Sequence, residues 1–273
     1  MIHSSGNIKF MADGFKIDQV IWATGFATNP NFFSTYMLLC ATFALGLYID
    51  EKKVIKSIIC IVFTALFIVG LLISNTTSGV LGLAVVLVFV LVYCIKNKYI
   101  KKIVFLAIVT SCTIILVHAT GKTDFIKDTK TLGNEAKQIA SGTVKENYGT
   151  NRVYIWKNTL KIIPQNLLHG VGIDNFYYAF NGKALVTKNG RTFFDKAHNE
   201  YLQILITEGI FCLIAYMALY SIIVFRGLRN CFKNREIYLI IPIVGYLVQA
   251  FFNISVIEVA PIFFITLGLC NSK

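Results

Sequence analysis

Two side chains in this sequence combine a reactive type with a telling position. His198 sits in DKAHNEYLQILITEGI (195–210), where polar residues open a segment that turns apolar. Near neutral pH its neutral imidazole can take a proton from an attacking hydroxyl. The competing reading is an ordinary histidine at a lipid–water boundary. Arg152 opens NRVYIWKNTLKII (151–163), and a guanidinium at a helix start can grip a diphosphate with paired N–H donors. A plain salt bridge is the alternative there. On a helix Val153, Trp156, Leu160 and Ile163 form one face, with Asn151 as the predicted N-cap and Pro164 as the stop. His198 is expected beside Tyr201 and Leu202, and Asn199 beside Gln203.

Other chemistries lack their parts. There is no Cys-x-x-Cys or His/Cys cluster for a metal, no Asp-x-Asp for a metal–nucleotide-sugar complex, and no Ser/His/Asp set that assembles. HATGKT (118–123) resembles the end of a P-loop, but Leu116 stands where the first glycine belongs. The Gly170-Val171-Gly172 turn lacks the third glycine and preceding strand of a dinucleotide fingerprint. No cofactor is expected.

The elements that must hold these residues are membrane helices. The chain has 273 residues, 56% of them hydrophobic and 15% charged, with a mean hydropathy of +0.65. Soluble domains carry roughly 25% charged residues. Apolar runs lie near 31–49, 54–73, 78–95, 100–118, 208–225 and 237–254, with a shorter one at 257–270. About 20 apolar residues cross a hydrocarbon core, and inside lipid such runs must be helical. The expectation is an all-α, multi-pass bundle of about seven helices, one domain over 1–273, with a long loop at 119–200 that contains short helices.

The charge of +12 comes from 26 Lys and Arg against 14 Asp and Glu. Twelve of the basic residues sit in the short connections 50–57, 96–102 and 226–236 and at Lys273, while 74–77 and 253–256 hold none. Basic short loops face the cytoplasm, so the 119–200 loop and the N-terminus are expected outside, at the cell membrane. That loop holds 12 Lys and Arg against seven acids. Its surplus serves either solvation and anionic head groups or an anionic lipid-linked substrate. Nucleic acid is not an expected partner. Six of the seven cysteines fall in apolar runs and none in the outer loop, which argues for small buried hydrophobes rather than disulfides. Few ionisable groups interrupt the helices, which argues against an ion-coupled transporter. A first helix entering from outside, with no cleavable signal over 1–30, is the pattern of the second part of a longer, N-terminally truncated membrane protein.

Several stretches together resemble the O-antigen ligase/polymerase superfamily of bacterial membrane glycosyltransferases. In order they are GFATNPNFFSTYMLL (25–39), SNTTSG (74–79), NRVYIWKNTLKIIPQNLLHGVGIDNF (151–176) and AHNEYLQILITEGIFCLIAY (197–216), followed by a closing helix pair. The resemblance covers the C-terminal portion of such a protein. It implies metal-independent transfer of a glycan from undecaprenyl diphosphate, outside the cytoplasm, to a glycan or lipid-core acceptor in lipopolysaccharide or capsule synthesis, by ligation or polymerisation. Arg152 then matches the arginine that holds the diphosphate, and His198 the histidine that activates the acceptor hydroxyl. Relatives carry a further arginine in the short outer loop, where this chain has Thr77 or Ser78. Lys188, Arg191 and Lys196 are candidates to replace its charge, with Thr77 and Asn199 as further substrate contacts. The alternatives are an inactive remnant of such an enzyme and a non-catalytic transporter or lipid-binding protein.

Overall fold

The computed structural model describes residues 25–27, 29–121, 148–180, 185–187, 190–192 and 194–272, with short pieces at 2–3, 22–23, 134, 137–138 and 141. Four helices open the fold: α1 (Pro30–Asp50), α2 (Val54–Ile73), α3 (Thr77–Lys96) and α4 (Ile100–Ala119). After them come α5 (Tyr148–Asn166) and the single turn α6 (Phe176–Ala179). The remainder is α7 (Glu200–Glu208), α8 (Ile210–Asn234), α9 (Ile237–Ala250) and α10 (Ala260–Asn271). Two small antiparallel ribbons, β1–β2 (Ile2–His3 with Trp22–Ala23) and β3–β4 (Leu185–Thr187 with Gly190–Thr192), are the only departure from an all-α fold among the described residues.

Among the described residues, five helices are long and apolar enough to cross a membrane: α1, α2, α3, α4 and α8. The two expected spans at the C-terminal end are the shorter apolar helices α9 and α10, of 14 and 12 residues. The apolar run at 237–254 is longer than its helix because Phe251 to Asn253 turn away at the end of α9.

Burial sorts the helices. α1 is buried along two-thirds of its span, whereas α2, α4 and α8 bury less than a quarter of theirs. Ile58, Ile59, Val62, Phe63 and Leu66 of α2 and Phe211, Ile214, Met217 and Phe225 of α8 point outward, as a chain dissolved in lipid allows. At the centre α9 packs against α1 and α3, with Ile240, Ile241, Ile243 and Tyr246 shielded on all sides. A separate small core outside the bundle joins Ile155 and Ile163 of α5, Phe176, Phe180, Phe194, Ala197 and Ile206 of α7.

Capping fixes both ends of α1. Asn29 accepts a hydrogen bond from the Asn31 amide at 2.8 Å, and Pro30 occupies the first turn, where its missing N–H is harmless. At the other end the Lys102 ammonium donates to the carbonyls of Tyr48, Ile49 and Glu51 at 2.9, 2.8 and 2.7 Å. Arg235 reaches the Tyr99 hydroxyl at 2.8 Å, Lys96 lies 4.4 Å from the Phe232 ring centre, and Arg226 bonds Asn271 at 2.9 Å. The basic connections therefore gather at one end of the bundle. Asn31 and Asn253 mark the opposite end, where Asn253 donates to Thr35 at 3.0 Å.

The span expected from 208 begins at Ile210, because Gly209, whose φ of 89° and ψ of 178° suit glycine alone, separates α8 from α7. The break is used. Val171 and Gly172 donate to the carbonyls of Ile206 and Thr207 at 2.9 and 2.8 Å, and Ile210 donates to Leu167 at 2.8 Å. Two backbones cross here with no side chain between them. A Cβ on Gly170 would lie 2.3 Å from the Thr207 carbonyl, and one on Gly209 2.4 Å from the Leu168 oxygen. Gly209→Ala is therefore expected to lower stability by about 1–3 kcal/mol from backbone strain alone. Gly268→Ala, whose Cβ would meet nothing within 4 Å, is the control. Thermal unfolding in detergent checks this, and equal midpoints for the two variants would refute the crossing.

Candidate active site

The site grows from the end of α9. Helix α5 docks there through its first turns. Arg152 Nε donates to the Phe252 carbonyl at 3.1 Å, and the Trp156 ring meets Phe251 edge-on with centroids 5.3 Å apart. Trp156 also donates its indole N–H to the Ala197 carbonyl at 3.0 Å. One turn of α5 thus ties the end of α9 to the residue before His198.

The buried face of α5 differs from the expected one. Ile155, Asn158, Thr159 and Ile163 are inside, whereas Leu160 is 59% exposed. Two anchors set this rotation, the Arg152 and Trp156 bonds on one flank and Ile155 on the aromatic cluster of Phe176 and Phe180 on the other. The helix starts at Tyr148 rather than after Asn151, and Asn151 has a φ of 68°, a left-handed kink that asparagine tolerates. It also runs past Pro164 to Asn166, where the Asn166 amide donates to Ile162 at 2.9 Å.

His198 is not on a helix. It has a φ of 49° in the turn before α7, so it does not share a helical face with Tyr201 and Leu202. Its neighbours hold the turn in shape. Asn199 caps α7 by accepting from the Leu202 amide at 2.9 Å, and Gln203 accepts from the Ala197 amide at 2.7 Å. Tyr201 donates to the Leu247 carbonyl of α9 at 2.8 Å. Most of the HNEYLQ stretch is thus a mount for the imidazole.

Burial pulls the His198 pKa below its ordinary value. The Arg152 charge lowers it further, and Asp195 partly opposes them. The ring is therefore neutral at neutral pH and able to accept a proton. Burial also acts on Arg152, lowering its pKa, although a guanidinium keeps its charge.

The remaining sequence-derived candidates are placed less centrally. Lys196 forms an ion pair with the exposed Asp174. Asn199 is buried and its side-chain oxygen is engaged as the cap. Thr77 is exposed in the first turn of α3, at the end of the bundle that carries Asn31, and hydrogen-bonds to neither Arg152 nor His198. Arg191 lies on β4, while Lys188 falls outside the described residues.

Residues 62–217 match the O-antigen ligase family. The chain belongs to the O-antigen ligase family. No curated relative matches it. The family and the apolar helices together make this a membrane protein and support a membrane glycan-transfer enzyme in general. The matched span runs from α2 into α8 and takes in both Arg152 and His198.

One residue of this O-antigen ligase family member was not singled out from the sequence. Glu200, 5% exposed, accepts from the Tyr216 hydroxyl at 2.5 Å and the Tyr246 hydroxyl at 2.8 Å. Burial raises its pKa, and the two hydroxyls pull it partly back. It clamps the start of α7 to α8 and α9, two residues from His198. An acid flanking an apolar run was the available signal, but its partners lie 16 and 46 residues away. Tyr246→Phe removes one hydrogen bond to this carboxylate and is expected to cost about 1.5–3 kcal/mol. An unchanged unfolding midpoint in detergent would refute the clamp.

Proposed function

We propose that the protein transfers a glycan from undecaprenyl diphosphate to a sugar hydroxyl on a glycan or lipid-core acceptor, without a metal, on the extracytoplasmic side of the cell membrane. The observation that carries this reading is the placement of Arg152 and His198 on one mount, close enough for the guanidinium to depress the imidazole pKa. In the proposed reaction the acceptor hydroxyl oxygen attacks the anomeric carbon. His198 takes the hydroxyl proton, the bond from that carbon to the diphosphate breaks, and the diphosphate leaves with the electron pair. Arg152 stabilises the charge that develops on it. A single displacement inverts the anomeric carbon.

The gathering of the basic connections at the other end of the bundle supports the orientation, since basic short loops face the cytoplasm. Arg191 and Lys188 would add positive charge for an anionic substrate, and Thr77 would meet it from the first turn of α3.

Four outcomes are expected with the reconstituted protein and a polyprenyl-diphosphate glycan. His198→Ala abolishes transfer while membrane insertion is unchanged. Arg152→Gln slows transfer by about 10- to 100-fold, the loss of one charge-assisted phosphate contact. The wild-type rate falls as pH drops through a midpoint below the ordinary histidine value of 6.5, because only the neutral ring accepts the proton. In Arg152→Gln that midpoint moves upward, since the neighbouring positive charge is gone. Full activity of His198→Ala would overturn the assignment of the base, and an unmoved midpoint in Arg152→Gln would overturn the pairing.

A further inference from the structure

At the end of the bundle opposite His198, a cavity of about 640 Å³ opens between the α1–α2 connection and Tyr238 of α9. Lys52, Lys53 and Lys56 stand around it, while Leu47, Ile59, Cys60 and Tyr238 form an apolar wall. We propose that this cavity binds an anionic phospholipid, its phosphate among the three lysines and an acyl chain along the Ile59 side.

Four observations carry the proposal. First, Glu51, the acid at the α1–α2 connection, is turned to backbone amides. It accepts from the Lys52 and Lys53 amides at 2.9 Å each. Second, among the described residues none of the three ammonium groups forms an ion pair within 4 Å of a carboxylate, although Lys56 and Lys53 act on Glu51 from a longer distance. Third, the apolar side is continuous with the outward face of α2, where Val54, Ile55, Ile58, Ile59 and Val62 are all at least half exposed. A free phosphate has no use for that surface, whereas a lipid fills both halves. Fourth, the smaller cavity of about 210 Å³ on the other side of the connection offers Lys52 and Lys102, and Lys102 is already donating to three carbonyls. Basic pockets between membrane helices are suited to such head groups. This site is independent of the transfer reaction and does not rest on it.

The test uses the full chain in detergent, titrated with dioleoyl phosphatidylglycerol and followed by native mass spectrometry. Parallel titrations use dioleoyl phosphatidylcholine and inorganic phosphate. Phosphatidylglycerol is expected to bind at least tenfold more tightly than phosphatidylcholine. Lys52→Gln, Lys53→Gln and Lys56→Gln should each weaken it by about fivefold. Ile59→Trp, which fills the cavity without changing charge at an exposed position, should weaken it by a similar factor. The comparison variant Lys98→Gln/Lys101→Gln/Arg229→Gln removes three charges from the same end but outside the cavity and should bind normally. Equal binding of phosphatidylcholine would overturn the proposal, as would competition by inorganic phosphate at comparable concentration. Equal loss in the comparison variant, or no loss in Ile59→Trp, would reduce the effect to general surface charge and overturn it too.

Discussion

A helix that ends inside a bundle must find donors for its last carbonyls, and the rest of this structure is arranged around one such end. With 14 residues, α9 is about 21 Å long, shorter than a hydrocarbon core of roughly 30 Å. It stops among its neighbours, and the chain leaves through Phe251, Phe252 and Asn253. Arg152 donates to the Phe252 carbonyl, Trp156 covers the Phe251 ring, and Asn253 turns back to α1. A polar requirement just beyond a helix terminus thereby becomes a docking point for α5, and α5 in turn holds the residue beside His198.

The same logic explains why the polar residues of the family-like motifs are so closely spaced. Asn199 and Gln203 satisfy amides at the start of α7, Tyr201 satisfies the Leu247 carbonyl, and Glu200 is satisfied by two tyrosines. A buried polar group without a partner is costly, so each bond removed would loosen the turn that sets the imidazole. His198 itself bonds to none of them. Its left-handed backbone is held by what surrounds it.

The apolar periodicity made the first four helices legible almost to the residue: the run at 31–49 became Pro30–Asp50, and that at 54–73 became Val54–Ile73. The helix pattern failed where backbone geometry overrode hydropathy. Gly209 looked like one more residue of a span, yet the crossing with Leu168 to Gly172 needs it to break the helix. Local spacing alone put Leu160 on the buried face of α5, because the true rotation is set by the distant partners Phe252 and Ala197. Arg152 and His198 were found by resemblance more than by chemistry, since a lone arginine and a lone histidine each have a plain structural use. Glu200 offered only a weak signal, an acid beside an apolar run, because both the partners that make it matter are far along the chain.

The bond from Arg152 to Phe252 spans 100 residues, and that separation orders the protein's birth. When the ribosome has just released α5, the carbonyl that will receive Arg152 has not been synthesised. The tyrosine that completes the Glu200 clamp arrives with α9, only a few residues before that carbonyl. Insertion of the early helices can therefore finish while Arg152 and His198 remain without their mount. The candidate site is completed only when the last helices are in place, whatever the early helices have already done.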